Sequence, residues 1–210
     1  MTANPPSDCA LCPRLAAFRA DNRALYPTFF NAPVPAWGDA AARLIIVGLA
    51  PGLKGANRTG RPFTGDYAGD LLYATLQKFG LAEGEYRERP DDGLVLKSVK
   101  IINAVRCVPP QNKPTGDEIR TCRTFLSGAI AQGAPRAFLA LGRIAHDSLL
   151  SSLSERRAAF GFAHGAEHQL TGGARLFDSY HCSRYNTNTG VLTPAMFEDV
   201  IGRAARFIAD

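Results

Sequence analysis

The stretch "RLIIVGLAPGLKGANRTGRPFTGD", residues 43–66, opens on an apolar run and continues into a long basic loop. A short, unbroken aliphatic run predicts a strand buried on both faces, as in a parallel sheet. From Gly48 to Asp66 the loop carries five glycines, two prolines and one aromatic, Phe63. Backbone so permissive, at the carboxyl end of a strand, suits amides that approach phosphate. Working outward, "VKIINAV" (99–105), "RAFLALG" (136–142) and "RLFDSYH" (175–181) read as three more strands. Between them Ala68, Leu71, Leu72, Thr75, Leu76 and Phe79 recur at helical spacing, with Gly80 as the stop. "TGDE" (115–118) has the spacing of a capping box and opens a helix that buries Ile119, Cys122, Leu126 and Ile130. A third helix follows at 143–153, and a fourth starts at Thr193-Pro194. The charged segment 83–93 reads as a solvated excursion, and 160–173 as a hairpin or loop.

Strands alternating with helices predict an α/β fold. The expected form is a three-layer α/β/α sandwich with a central parallel sheet of about four strands, one domain over residues 1–210. In such sheets ligands bind at the carboxyl ends of the strands. That rule brings the opening loop, the Asn103–Cys107 segment and His181 to one cleft.

Composition narrows the setting. A chain of 210 residues with 46% hydrophobic and 20% charged side chains can bury a substantial core like an ordinary globular protein. A net charge of +5 is compatible with an anionic partner without demanding one. Asp8, Arg14, Arg19, Asp21 and Arg23 interrupt any apolar run near the start, so neither a signal peptide nor a membrane anchor is expected. The expected location is cytoplasmic, where grouped cysteines suggest metal rather than disulfides.

Five cysteines occur. Cys9 and Cys12 have chelating spacing, whereas Cys107 and Cys122 are separated by fourteen residues. A thioredoxin-like redox pair does not fit, because no strand can precede Cys9. Four thiolates from two distant segments, the second pair too widely spaced for a zinc knuckle, favour a [4Fe–4S] cluster. A structural zinc site is the alternative; unrelated buried cysteines are the bland one.

"GLAPGLKGANRTGRPFTGDYAGDLL" (48–72), "NAVRCVPPQNKPTGDE" (103–118) and "HCSRYNTNTG" (181–190), with the four cysteines, resemble the type b, or fifth-family, uracil-DNA glycosylases. The motifs stand in the right order over nearly the whole chain. The resemblance implies the glycosylase α/β/α sandwich with a [4Fe–4S] cluster held by Cys9, Cys12, Cys107 and Cys122. It also implies monofunctional removal of uracil, and of other deaminated or modified bases, from DNA. The partner is then damaged DNA, met by a monomeric, nucleoid-associated protein. No membrane is involved.

Such chemistry needs a stacking face, a reader of the base edge and a donor for the charge that gathers on the leaving base. Phe63 supplies the face by resemblance, although a core plug would also explain it. Asn103 carries both a donor and an acceptor, as uracil requires, and could instead cap its strand. His181 corresponds to the residue that contacts the uracil O2. Gly48 and Ala50 line the base. Leu49 and Ala50 are inert where many of these enzymes hold a polar residue before the proline, which is the type b pattern; the fourth family has a Glu there. Asp66 matches the carboxylate that positions water or stabilises the cationic sugar, and equally suits a helix N-cap. Lys54, Arg58, Lys113 and Arg184 are candidates for flanking phosphates, and Tyr185 for a wedge, unless it packs beneath its loop. Cys182 stands where the wider superfamily has proline, and reads as a free thiol near the site. A fourth-family-like enzyme restricted to uracil and an iron–sulfur protein that binds such DNA without turnover are the rivals. A P-loop is excluded, since the loop has no Gly-Lys-Ser/Thr end.

Overall fold

The computed structural model of the protein describes residues 2–210. The first half contains α1 (Pro13–Leu25), β1 (Trp37–Gly38), β2 (Leu44–Gly48), α2 (Ala56–Thr59), α3 (Tyr67–Lys78), β3 (Ala82–Glu83), β4 (Val95–Leu96) and β5 (Val99–Asn103). The second contains α4 (Gly116–Ala131), β6 (Ala137–Leu141), α5 (Arg143–Ser152), β7 (Glu167–Gln169), β8 (Arg175–Ser179), α6 (Arg184–Asn188) and α7 (Pro194–Ala209).

Six strands form the main sheet in the order β1-β5-β2-β6-β8-β7. The central four are parallel, and β1 and β7 close the edges antiparallel. Alternation along β2 builds the layers. Leu44 and Ile46 face a core that includes Leu72 and Leu76 of α3 and Phe197, Val200 and Ile201 of α7. Ile45 and Val47 face the other side, with Leu126 and Ala129 of α4 and Leu149 and Leu150 of α5. The expected capping box at Thr115 and Glu118 is present, and Asp66 and Thr193 cap α3 and α7 with their side chains.

Several expectations need correction. β5 ends at Asn103 and β8 at Ser179, so Cys107 and His181 lie beyond their strands rather than at their last residues. The reason is register: Gly48 pairs with Asn103 on the last rung of β2 and β5. Segment 160–173 resolves into β7 and a turn back to β8. The edge strands β1, β3, β4 and β7 have two or three residues each, too few to register an alternating pattern. Segment 83–93 is not wholly solvated: Asp92 is only 3% exposed and forms a bidentate pair with Arg61.

Beneath the carboxyl end of β8, Asp178 accepts from His146 Nδ1 at 2.8 Å and from His168 Nε2 at 3.1 Å. His146 Nε2 faces the Phe160 carbonyl at 3.1 Å, so both its ring nitrogens meet acceptors and the ring is a cation. Burial opposes that charge, but the Asp178 carboxylate holds the His146 pKa above the ordinary value. The three side chains bring ligand atoms within 4.8 Å of one another. Hydrogen-bonded to one another through Asp178, they form a network that anchors α5 and β7 to β8.

Candidate active site

A cleft of about 670 Å³ opens at the carboxyl edge of the sheet. Its walls include Phe63, Asp66, Asn103 and His181, together with Ala50, Lys54 and Arg184. Four separate segments thus deliver the residues singled out in the sequence to one place. Three further lining residues, Tyr67, Asn112 and Ser183, stand within the same motifs but were not among the expected site residues; the fold brings them to the cleft.

Gly48 explains how the aromatic and the amide come together. A Cβ at this position would lie 2.6 Å from both the Asn103 Oδ1 and the Phe63 Cζ. Only glycine lets the two side chains lie against the strand end. Asn103 is 3% exposed, and the Phe63 ring lies 5.7 Å from that of His181 at an interplanar angle of 24°. Phe63 holds φ at +51°, a left-handed conformation that costs a bulky L-residue on the order of 1–2 kcal/mol. Such strain persists only where the surroundings hold it. The Tyr73 hydroxyl donates to the Pro62 carbonyl at 2.5 Å, on the chain just before the strained residue.

His181 is held from both sides. Asn186 Nδ2 donates to its carbonyl at 2.8 Å, and Cys182 Sγ donates to the Ala68 carbonyl at 3.4 Å. These bonds supply the stiffness that a proline would otherwise give. Cys182 is fully buried and burial pushes its thiol up, so it is a packing residue and not an accessible thiol. Burial alone pushes the His181 pKa down to about 4. The ring is therefore neutral at physiological pH and offers one N–H.

Asp66 fills two places at once. It caps α3 through Oδ1, which accepts from the Gly69 N–H at 3.4 Å. Its Oδ2 points back to the opening loop, where a Cβ on Gly55 would collide with it. Gly55 therefore makes room for a carboxylate, a different task from the phosphate approach expected of it. Burial raises the Asp66 pKa above the usual carboxylate value, while the N–H groups of Gly69 and Ala68 pull it partly back.

The basic residues divide. Lys54 and Arg184 line the cleft, with the Arg184 guanidinium 5.4 Å from the Tyr67 ring centre. Arg58 turns its guanidinium onto its own loop, donating to the Lys54 carbonyl at 2.8 Å and the Gly65 carbonyl at 3.5 Å. Lys113 and Tyr185 lie outside the cleft lining. Tyr185, at the start of α6, is 75% exposed and does not pack beneath its loop.

A second, small enclosed hollow is lined by Cys9, Cys12, Cys107 and Cys122. Arg19 Nη1 donates to Cys107 Sγ at 3.4 Å, and the Arg106 N–H donates to Cys122 Sγ at 3.3 Å. Arg19 Nε and Arg106 Nε are buried with no hydrogen-bond partner among the described residues. Burial raises the thiols of Cys12, Cys107 and Cys122, the last to about 12. Thiolates here need a cationic centre to form, and two unanswered guanidinium donors suit a group that is anionic overall. These four sulfurs fit a thiolate-ligated metal centre.

Residues 35–204 match the family model of the uracil DNA glycosylase superfamily. The chain belongs to that superfamily. It is 45% identical over 206 residues to the type-5 uracil-DNA glycosylase of Thermus thermophilus, covering 94% of this chain and 93% of that one. Identity to the type-5 enzyme of Pyrobaculum aerophilum is 41%, over 94% of this chain and 88% of the other. It falls to 31% for the type-4 enzyme of Thermotoga maritima, over 81% and 80%. The type-5 enzymes are thus the branch most like it among these, in keeping with Leu49 and Ala50 in the first motif.

Proposed function

We propose that the protein excises uracil from DNA by hydrolysing the N-glycosidic bond, and leaves an abasic site. The observation that carries this reading is the convergence of Phe63 and Asn103 against Gly48 with the His181 ring 5.7 Å from that of Phe63, all three lining the cleft in which a flat heterocycle would sit. In this reading an everted uracil stacks on Phe63. Asn103 accepts from the ring N–H and donates to the neighbouring carbonyl. His181 donates its one N–H to the uracil O2, where negative charge gathers as the bond to the sugar breaks. Asp66 Oδ2 orients the attacking water and balances the positive charge on the sugar. The water oxygen bonds the anomeric carbon, the base leaves with the bonding pair, and the water's proton passes to solvent or carboxylate. Lys54, Arg184 and the more distant Arg58 and Lys113 meet flanking phosphates, and Tyr185 enters the gap left by the base. The enzyme works as a monomer on chromosomal DNA in the cytoplasm. No helix of the described residues is long and apolar enough to cross a membrane.

Incubation of the protein with a duplex oligonucleotide carrying one uracil, followed by alkali, tests this reading. Strand cleavage at the uracil is expected; a retarded complex without cleavage would identify a binder that does not turn over. Asp66→Asn separates the two duties of that residue. Asparagine caps a helix as well as aspartate, so the melting temperature should hold or rise while excision slows by about 10²-fold. An unchanged rate would leave Asp66 as a cap alone. With its pKa near 4, His181 does not change charge near neutrality. Burial raises the Asp66 pKa, so the wild-type rate should fall on the acid side as Asp66 takes up a proton, and that fall should begin at a higher pH than for an ordinary exposed carboxylate.

The second part of the reading is that Cys9, Cys12, Cys107 and Cys122 hold a [4Fe–4S] cluster. When bound, it supplies a covalent tie between the amino-terminal segment and α4. The all-thiolate donor set, the N–H groups aimed at two sulfurs and the unpartnered donors of Arg19 and Arg106 support a thiolate-bound centre of net negative charge, and the wide spacing of Cys107 and Cys122 favours the cluster over a zinc knuckle.

A further inference from the structure

The excursion between β3 and β4 reaches the cleft from outside, and its two inward side chains end at the strained loop. Asp92 accepts from Arg61 Nη1 at 2.8 Å and Nη2 at 2.7 Å, and from the backbone N–H groups of Arg87 and Leu94. Four donors hold that carboxylate, and its pKa lies below the usual range: burial opposes the charge, and the Arg61 pair outweighs it. Arg61 Nε donates in turn to Thr64 Oγ1 at 2.7 Å. The guanidinium is enclosed by aromatic rings, 4.8 Å from the centre of Trp37, 5.5 Å from Tyr73 and 5.7 Å from Tyr86. Arg61 and Thr64 flank Phe63, so the pair grips the chain on both sides of it. Tyr86 adds the last hold: its hydroxyl donates to the Phe63 carbonyl at 3.3 Å and accepts from the Gly65 N–H at 3.4 Å. It therefore bridges the peptide groups on either side of Thr64, between Phe63 and Asp66.

We propose that Tyr86 is a positioning residue for base excision, its hydroxyl locking the left-handed turn that presents the Phe63 ring to the flipped base. The inference rests on the glycosylase reading and deepens it. A tyrosine from a segment outside the glycosylase motifs thereby sets how well the base is stacked. The oxygen has little to do with overall folding, because the ring alone maintains the packing on Tyr73 and Arg61.

The test is a double-mutant cycle read by single-turnover excision of uracil, with Tyr86→Phe and Phe63→Ala made singly and together. Phenylalanine keeps the ring and removes only the hydroxyl. Losing its two hydrogen bonds, both long, should slow excision about five- to tenfold in the wild-type background. Melting temperature and affinity for a non-hydrolysable uracil duplex should stay near wild type. In the Phe63→Ala background, Tyr86→Phe should cost nothing further, because the ring it positions is gone. An unchanged rate in Tyr86→Phe, or the same loss in both backgrounds, would overturn the proposal. If wild-type protein itself leaves uracil in place, the glycosylase reading fails and takes this inference with it. A wild-type enzyme that works beside an equally active Tyr86→Phe overturns only the positioning role.

Discussion

His181→Ala and Asn103→Ala should each slow uracil excision on the order of 10²- to 10³-fold, with affinity for the uracil duplex largely retained. The asymmetry follows from when each bond matters. In the proposed reading, phosphate contacts by Lys54 and Arg184 are made before and during bond cleavage, so they set binding. The donors at the base edge face a carbonyl that becomes an anion only as the glycosidic bond breaks, so their worth is greatest at the transition state. His181 is suited to this by its surroundings. It is buried enough to stay neutral, its pKa lies near 4, and Asn186 and Cys182 fix the backbone that carries it. Donor and acceptor are preset and need no solvent to rearrange. Asn103 is fixed likewise, at the last paired position of β5 with its amide against Gly48. A Gly48→Ala variant should reproduce much of the loss, because its methyl would displace both the amide and the Phe63 ring. Single-turnover rates at wild-type level in both alanine variants would refute the base-reading assignment.

If the four cysteines hold the proposed cluster, the wild-type protein should be brown, and Cys107→Ser should leave it nearly colourless, abolish its broad visible absorbance and lower both melting temperature and activity. The coupling to activity is spatial. Cys107 and Cys122 pack with Leu15, Val105 and Phe125, and Ala50 lies against the same group while also lining the cleft. Loss of the tie should loosen α1, whose Leu15 and Arg19 are buried beside the cysteines, and expose residues 9–25 to protease. Other links should survive: Arg14 still pairs with Glu118, at 2.8 and 2.7 Å, in the capping box of α4, and Arg23 Nε still donates to the Asn31 carbonyl at 3.0 Å. The expected result is a loosened wall and not a disrupted sheet. Purified wild-type protein that is colourless and contains zinc would replace the cluster with the alternative metal, and iron and sulfide analysis decides between them.

The parallel core was legible in the sequence because its signal is local. The apolar runs at 44–48 and 137–141 suit burial on both faces, the segments at 99–103 and 175–179 carry shorter apolar stretches, and the helices between them repeat at their own period. The chemistry was legible because the motifs are long. Phe63, Asp66, Asn103 and His181 are named by their neighbours in the chain, and each arrives at the cleft through a strand end or the loop that follows it.

What local pattern could not carry was decided by the tertiary structure. A charged run from 83 to 93 has the composition of a solvated loop, and most of it is one. Nothing within it tells that Asp92 meets Arg61 thirty-one residues away, or that the Tyr86 hydroxyl ends beside the Phe63 carbonyl. The protonation of His181 was likewise open, since a pKa is a property of the surroundings and not of the residue; burial made the ring neutral. Residue types and their spacing determine which groups the chain can offer. The desolvation and exact juxtaposition that make those groups act exist only once distant segments have packed together.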